Sequence, residues 1–139
     1  MKGIEYMSSQ HAASGQPIDL GPDEFAKKME DKRMVVLDVR TPEEYSEAHL
    51  DGAVLLNIAD PAFPEELDRL DRDAPYLVYC RSGSRSWTAG RYMIQLGFTE
   101  VYNLEDGIIS WTGDVKRGGY TGSDGTAGSV DVDRSGTDR

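Results

Sequence analysis

The chain has 139 residues, a formal net charge of -10 and 38% hydrophobic residues. That length supports one domain with one core, and no run of about 18 uncharged apolar residues is available for a membrane span. The charge repels nucleic acid backbones and anionic membrane surfaces at long range, so neither is an expected partner. One cysteine allows no internal disulfide, and two histidines with no Cys pair give no zinc-type ligand set. Neither a metal nor an organic cofactor is therefore expected.

The run from Met1 to Gln10 is broken by Glu5 and has no apolar core of signal-peptide length, so export is not indicated and a cytoplasmic protein is expected. Residues 1–16 show no apolar periodicity and are expected to be flexible. A short first strand is expected over 18–20. After Gly21, Pro22 suits a first helical position, and Pro22, Phe25, Ala26 and Met29 recur on one helical face. A second strand is expected over 34–37. Thr41-Pro42-Glu43-Glu44 then forms a capping box, so the chain turns into a helix directly after Arg40.

A third strand is expected over 53–56 and a helix over 64–70, with Phe63, Leu67 and Leu70 facing the core. Residues 76–79 read as a buried strand, followed by a helix over 84–96 in which Ala89, Tyr92, Met93 and Leu96 share a face and Gly97 makes the stop. Residues 101–104 read as the last strand, and Ile108 and Trp111 as core anchors of a short final helix. From Asp114 the chain is poor in large apolar residues, so 114–139 is expected to be a flexible Gly/Ser/Asp-rich tail. The folded domain is thus expected over 17–113. Short apolar runs alternating with helical patterns indicate an α/β fold, a parallel sheet with helices on both faces.

The chemistry concentrates at Tyr79-Cys80-Arg81-Ser82-Gly83-Ser84-Arg85-Ser86, where a buried strand passes into a helix at the carboxyl edge of the sheet. Loop amides and the positive end of the helix dipole form an anion-binding concavity there, and Gly83 lets the chain curl. Arg81 and Arg85 add full charges. All three effects favour thiolate over thiol at Cys80. Most lone cysteines are small buried hydrophobes, but a core cysteine does not require the following Gly, two Arg and three Ser in six residues.

These segments resemble the single-domain rhodaneses. The resemblance spans about residues 17–113 and rests on an ordered set: Leu37-Asp38-Val39-Arg40 with Glu43-Glu44-Tyr45, His49-Leu50-Asp51-Gly52-Ala53, the Cys80 loop, Leu96-Gly97-Phe98, and Asn103-Leu104-Glu105-Asp106-Gly107-Ile108-Ile109-Ser110-Trp111. It departs at Asp106, where the pattern carries the first of two glycines. The resemblance implies a rhodanese-like fold with a five-stranded parallel sheet and a sulfurtransferase activity. In that activity the Cys80 thiolate takes the outer sulfur of a donor such as thiosulfate or a persulfide. It then passes the sulfur to cyanide, to a thiol or to a protein acceptor. The amides of Arg81, Ser82, Gly83, Ser84, Arg85 and Ser86 would cradle the persulfide, with Arg85 on the donor charge and Arg81 on the rim.

Asp38 and Arg40 end their strand on the same edge. They are expected to support the site as an ion pair tied to the start of the neighbouring helix in preference to touching substrate. His49 is expected to be a hydrogen-bonded structural histidine. Two rival functions remain. Cysteine phosphatases and arsenate reductases use a similar cradle, but in cysteine phosphatases five residues separate Cys and Arg, whereas four separate Cys80 from Arg85. A rhodanese-like module that only carries sulfur or binds a partner, without thiosulfate turnover, is the other.

Overall fold

A computed structural model of the chain describes residues 15–119. The expected flexible ends fall largely outside these, at 1–14 and 120–139. The described residues run β1 (Ile18–Leu20), α1 (Pro22–Met29), β2 (Val35–Asp38), α2 (Pro42–Glu47), β3 (Val54–Leu55), α3 (Phe63–Asp68), β4 (Pro75–Tyr79), α4 (Ser84–Gln95), β5 (Glu100–Leu104) and a 3-10 turn at Ile108–Ser110. The five strands form one sheet in the order β1-β5-β4-β2-β3, with parallel pairing throughout. Each element sits within two residues of its expected position.

Alternation along β4 separates two cores. Tyr76, Val78 and Cys80 point to one face, where Phe63 and Leu67 of α3 and Ala89, Met93 and Ile94 of α4 cover them. Leu77 and Tyr79 point to the other, packed with Phe25 of α1 and Leu50, while Tyr45 of α2, Ile108 and Trp111 close that side. Helices thus cover both faces, and the central strands are apolar runs because neither face meets water. Ala26 departs from its expected place and stays exposed: the face of α1 that packs is narrowed to Phe25 and Met29. Trp111 meets Phe25 edge-on at 6.1 Å between ring centroids.

The capping box at α2 is complete: Thr41 Oγ1 accepts from the Glu44 amide at 3.2 Å, and Glu44 Oε1 accepts from the Thr41 amide at 3.0 Å. Gly97 ends α4 with φ of 102°, as a left-handed stop requires. Residues 114–119, placed by sequence in the tail, lie against the domain. His49 and Lys116 exchange backbone hydrogen bonds of 2.9 and 2.8 Å, and Arg117 Nη1 donates to the Glu47 carbonyl at 2.8 Å.

The second core contains a buried polar knot. Arg40 Nε and Nη2 donate to Asp38 at 2.9 and 2.7 Å, and Arg40 Nη2 also reaches the Ala48 carbonyl at 2.6 Å. Tyr79, in register beside Asp38, donates its hydroxyl to Asp38 Oδ2 at 2.8 Å and accepts from the Leu50 amide at 3.0 Å. Asp38 and Arg40 do form an ion pair, but its tie runs to the C-terminal end of α2 and not to its start. A guanidinium is favoured where a helix presents free carbonyls, and Ala48 supplies one. Tyr79→Phe would leave Leu50 N–H and one Asp38 oxygen without this partner. The expected result in urea unfolding is a loss of about 1–3 kcal/mol with an unchanged m-value.

Candidate active site

Cys80 follows β4 directly and shows 1% of its surface to solvent. Its Sγ accepts from the Gly83 amide at 3.1 Å and from the Ser86 amide at 3.4 Å, and the Ser86 hydroxyl lies 3.4 Å from it. Ser86 is the third residue of α4, so the sulfur occupies the place a capping oxygen takes at other helix starts. Gly83, the residue before the helix, offers no side-chain cap and adopts φ of 98°. The left-handed turn folds the loop back over the sulfur.

A second segment clamps this loop from behind. The Ile108 amide donates to the Cys80 carbonyl at 2.9 Å and the Ile109 amide to the Arg81 carbonyl at 3.1 Å. A Cβ on Gly107, which has φ of 73°, would overlap the carbonyl of Arg81, and one on Gly83 would overlap the carbonyl of Glu105. Each of these segments thus requires a glycine against the other's backbone. The departure at Asp106 leaves the clamp intact, because Gly107 is the residue in close approach.

Burial pushes the Cys80 thiol up, but hydrogen bonding with Ser86 and with the amides of Ser82 and Gly83 outweighs it, and the thiol lies below its ordinary value. Among the favourable causes, those hydrogen bonds lead. Arg81, Ser82 and Ser84 are exposed at the loop surface, while Gly83 and Ser86 are buried.

Arg85 makes a bidentate pair with Glu44 of α2, Nη1 to Oε1 and Nη2 to Oε2, both at 2.9 Å. Glu44 therefore caps its own helix and holds the arginine of the Cys80 loop. The Arg85 guanidinium beside it, against some desolvation, holds its carboxyl down at about 2. Arg85 is itself raised, first by Glu44 and also by the charge of Cys80, which places it within electrostatic reach of the sulfur. Asp38 and Arg40 pair beside Tyr79, the residue before Cys80, and are at most 4% exposed. His49 is engaged with Tyr45: its Nδ1 lies 2.8 Å from the Tyr45 carbonyl, its ring stacks on Tyr45 at 3.7 Å, and burial holds its imidazole below the ordinary value.

Sequence reasoning missed Asn103 and Asp19. Asn103 Oδ1 lies 2.5 Å from Ser86 Oγ, and its Nδ2 donates to Asp19 Oδ1 at 2.9 Å and to the Gly83 carbonyl at 3.3 Å. A polar amide inside an otherwise apolar strand run was the available signal, since a buried amide must find partners. The second role of Glu44 had no signal, because α2 and the loop are 41 residues apart.

A family model for the rhodanese-like domain matches residues 21–114. The chain belongs to the rhodanese-like domain family. It is 37% identical over 86 residues to the "Putative sulfurtransferase YtwF" of Bacillus subtilis, covering 62% of this chain and 81% of that protein. It is 32% identical over 115 residues to the tRNA uridine(34) hydroxylase of Chlamydia abortus, covering 78% of this chain but 35% of the hydroxylase. This chain thus spans about a third of that relative's length. Among solved structures it matches a rhodanese-like domain protein from Staphylococcus aureus with a TM-score of 0.64 and 25% identity, covering 73% of this chain and 99% of that one.

Two outcomes follow from this geometry. Gly107→Ala should cost more than about 2 kcal/mol in urea unfolding, because the Cβ meets backbone that cannot step aside without moving the Cys80 loop. Glu44→Gln keeps an N3 side chain able to cap but removes the charge facing Arg85. The Glu44 carboxyl lies at about 2 in the fold against an ordinary 4.5. Its contribution is therefore complete above about pH 5 and lost as pH falls towards 2. The stability gap between wild type and Glu44→Gln should narrow over that window in acid titrations followed by circular dichroism.

Proposed function

We propose that this chain is a sulfurtransferase that moves sulfane sulfur through a persulfide on Cys80, with thiosulfate as a competent donor and cyanide or a thiol as acceptor. The observation that carries this reading is the pair of backbone amides that donate to Cys80 Sγ, Gly83 at 3.1 Å and Ser86 at 3.4 Å. Such donors favour an anionic sulfur, which is both the attacking species and the charge of a persulfide. Membership of the rhodanese-like family and the likeness to YtwF support the same chemistry.

In the first step the thiolate attacks the outer sulfur of thiosulfate. A bond forms between the two sulfurs, the sulfur–sulfur bond of thiosulfate breaks, and sulfite leaves with the electron pair. Cys80 then carries a terminal sulfur bearing one negative charge. The acceptor nucleophile attacks that sulfur, and the Cys80 thiolate departs with the electrons, which gives thiocyanate when the acceptor is cyanide. Two half-reactions through a covalent intermediate predict ping-pong kinetics.

Arg81, Ser82, Gly83, Ser84, Arg85 and Ser86 would supply the binding loop. Arg85 would face the charge of donor and persulfide while Glu44 holds it, and exposed Arg81 would sit at the rim. Asp38 and Arg40 would support the floor without touching substrate. The acceptor or donor in the cell is a small thiol, a persulfide or another protein bearing one, met in the cytoplasm.

Incubation with thiosulfate should raise the intact mass by one sulfur atom, and subsequent cyanide should remove it as thiocyanate. Cys80→Ser should abolish both. No mass gain together with hydrolysis of an aryl phosphate would overturn the proposal in favour of phosphoryl chemistry. No mass gain from thiosulfate with gain from a small persulfide would restrict the protein to carrying sulfur. Arg85→Ala should weaken the use of thiosulfate more than it shifts the melting temperature.

A further inference from the structure

The Ser86 hydroxyl has one proton and two acceptors. Ser86 is 0% exposed and Asn103 2%, so water supplies neither partner. Asn103 stands in register beside Asp19 of β1, and its amide direction is fixed: Nδ2 donates to the Asp19 carboxylate at 2.9 Å and to the Gly83 carbonyl at 3.3 Å, both of which can only accept. Oδ1 must therefore face Ser86. An amide oxygen carries no proton, so across the 2.5 Å between them Ser86 is the donor. While that bond stands, the Ser86 hydroxyl turns a lone pair, not its proton, to Cys80 Sγ at 3.4 Å.

This arrangement suits a protonated Cys80. The thiol donates to Ser86 and Ser86 donates to Asn103, so every hydrogen is placed. Ionisation of the thiol forces a choice: Ser86 keeps Asn103 and presents a lone pair to the thiolate, or turns to the thiolate and leaves a buried amide oxygen without a donor. Either way part of the stabilisation is lost.

We propose that Asn103 is a positioning residue that restrains the Cys80 thiolate by holding the proton of the Ser86 hydroxyl away from the sulfur. The amides of Gly83 and Ser86 remain aimed at the sulfur in both states. Asn103 thus sets how much the hydroxyl adds to them.

Charged groups on every element around the loop enter the titration: Asp19 on β1, the Asp38–Arg40 pair at the end of β2, Glu44 on α2, Arg81 and Arg85 in the loop and first turn, and Glu105 and Asp106 after β5. Two opposite-charge pairs, Asp38–Arg40 and Glu44–Arg85, are already closed. The effect of Asn103 is distinct from these because it runs through a neutral hydroxyl.

The inference rests on Cys80 acting as the reacting thiolate, but its test needs no sulfur donor, so it can fail or succeed independently of the proposed transfer. Cys80 is the only cysteine. Ultraviolet thiolate absorbance, with Cys80→Ser as the blank, therefore reads one group. Asn103→Leu removes the competing acceptor, and the thiolate fraction at a fixed pH below the midpoint should rise roughly threefold to tenfold. Ser86→Ala should lower it, and by more in the Asn103→Leu background than in wild type.

A midpoint that stays or rises in Asn103→Leu overturns the proposal. So does the same Asn103→Leu shift in a Ser86→Ala background, since Asn103 would then act without Ser86. If Asn103→Leu does not fold, Ser86→Ala alone decides. A fall in thiolate fraction of roughly tenfold or more would show that the hydroxyl already donates fully to sulfur, which overturns the proposal. A change under about threefold supports it.

Discussion

The first turn of a helix carries backbone N–H groups that no helical carbonyl can satisfy, and in α4 one of them, on Ser86, is directed at a sulfur atom. The rest of the site follows from that constraint. A sulfur can serve as this acceptor only if it lies at the helix axis start, which places the cysteine at the end of β4, the central strand of the sheet. Gly83 must then reverse the chain within three residues, and its own amide becomes the second donor at 3.1 Å. The same contacts that complete the helix start are the contacts that would favour charge on the sulfur. Fold and chemistry share one set of hydrogen bonds.

A loop that turns this sharply would not keep its shape alone, and the turn after β5 supplies the restraint. Its amides at Ile108 and Ile109 bind the carbonyls of Cys80 and Arg81, and each strand of the clamp needs a glycine where it meets the other. From the front, Glu44 reaches across from α2 to fix Arg85. The loop is thereby held by β5 on one side and α2 on the other. Its donors are aimed before any ligand arrives, which is the condition under which electrostatic stabilisation is effective.

Local patterns made most of the fold legible. The Thr41 capping box, Gly97 as a left-handed stop and the apolar runs of β2, β4 and β5 each act within a few residues, so the sequence carries them directly. Cys80 and its loop were legible for the same reason. What remained hidden lay in contacts between distant segments. Nothing near Glu44 indicates that its carboxylate meets Arg85, and only the polarity of Asn103 in a buried strand hints at its bonds to Ser86 and Asp19. The charges of two arginines are visible in sequence, whereas the direction of each backbone N–H is not. The segment 114–119 looked like tail by composition, yet Lys116 pairs through its backbone with His49, an interaction that composition does not record.

Charge at long range and hydrogen bonds at short range work in opposite directions here. The chain carries -10 overall, so the field at a distance disfavours small anions. Of the cations around the loop, Arg85 is matched by Glu44 and Arg40 by Asp38, which leaves exposed Arg81 without an ion pair among the described residues. Selection for an anionic sulfur, on the proposed reading, would then come from the amides, whose effect is confined to a few ångströms and is strengthened by burial from water. Added salt would weaken the repulsion outside while leaving the buried donors nearly unaffected. On the proposed reading, a site arranged in this way would discriminate at contact, by the direction of N–H groups around one sulfur.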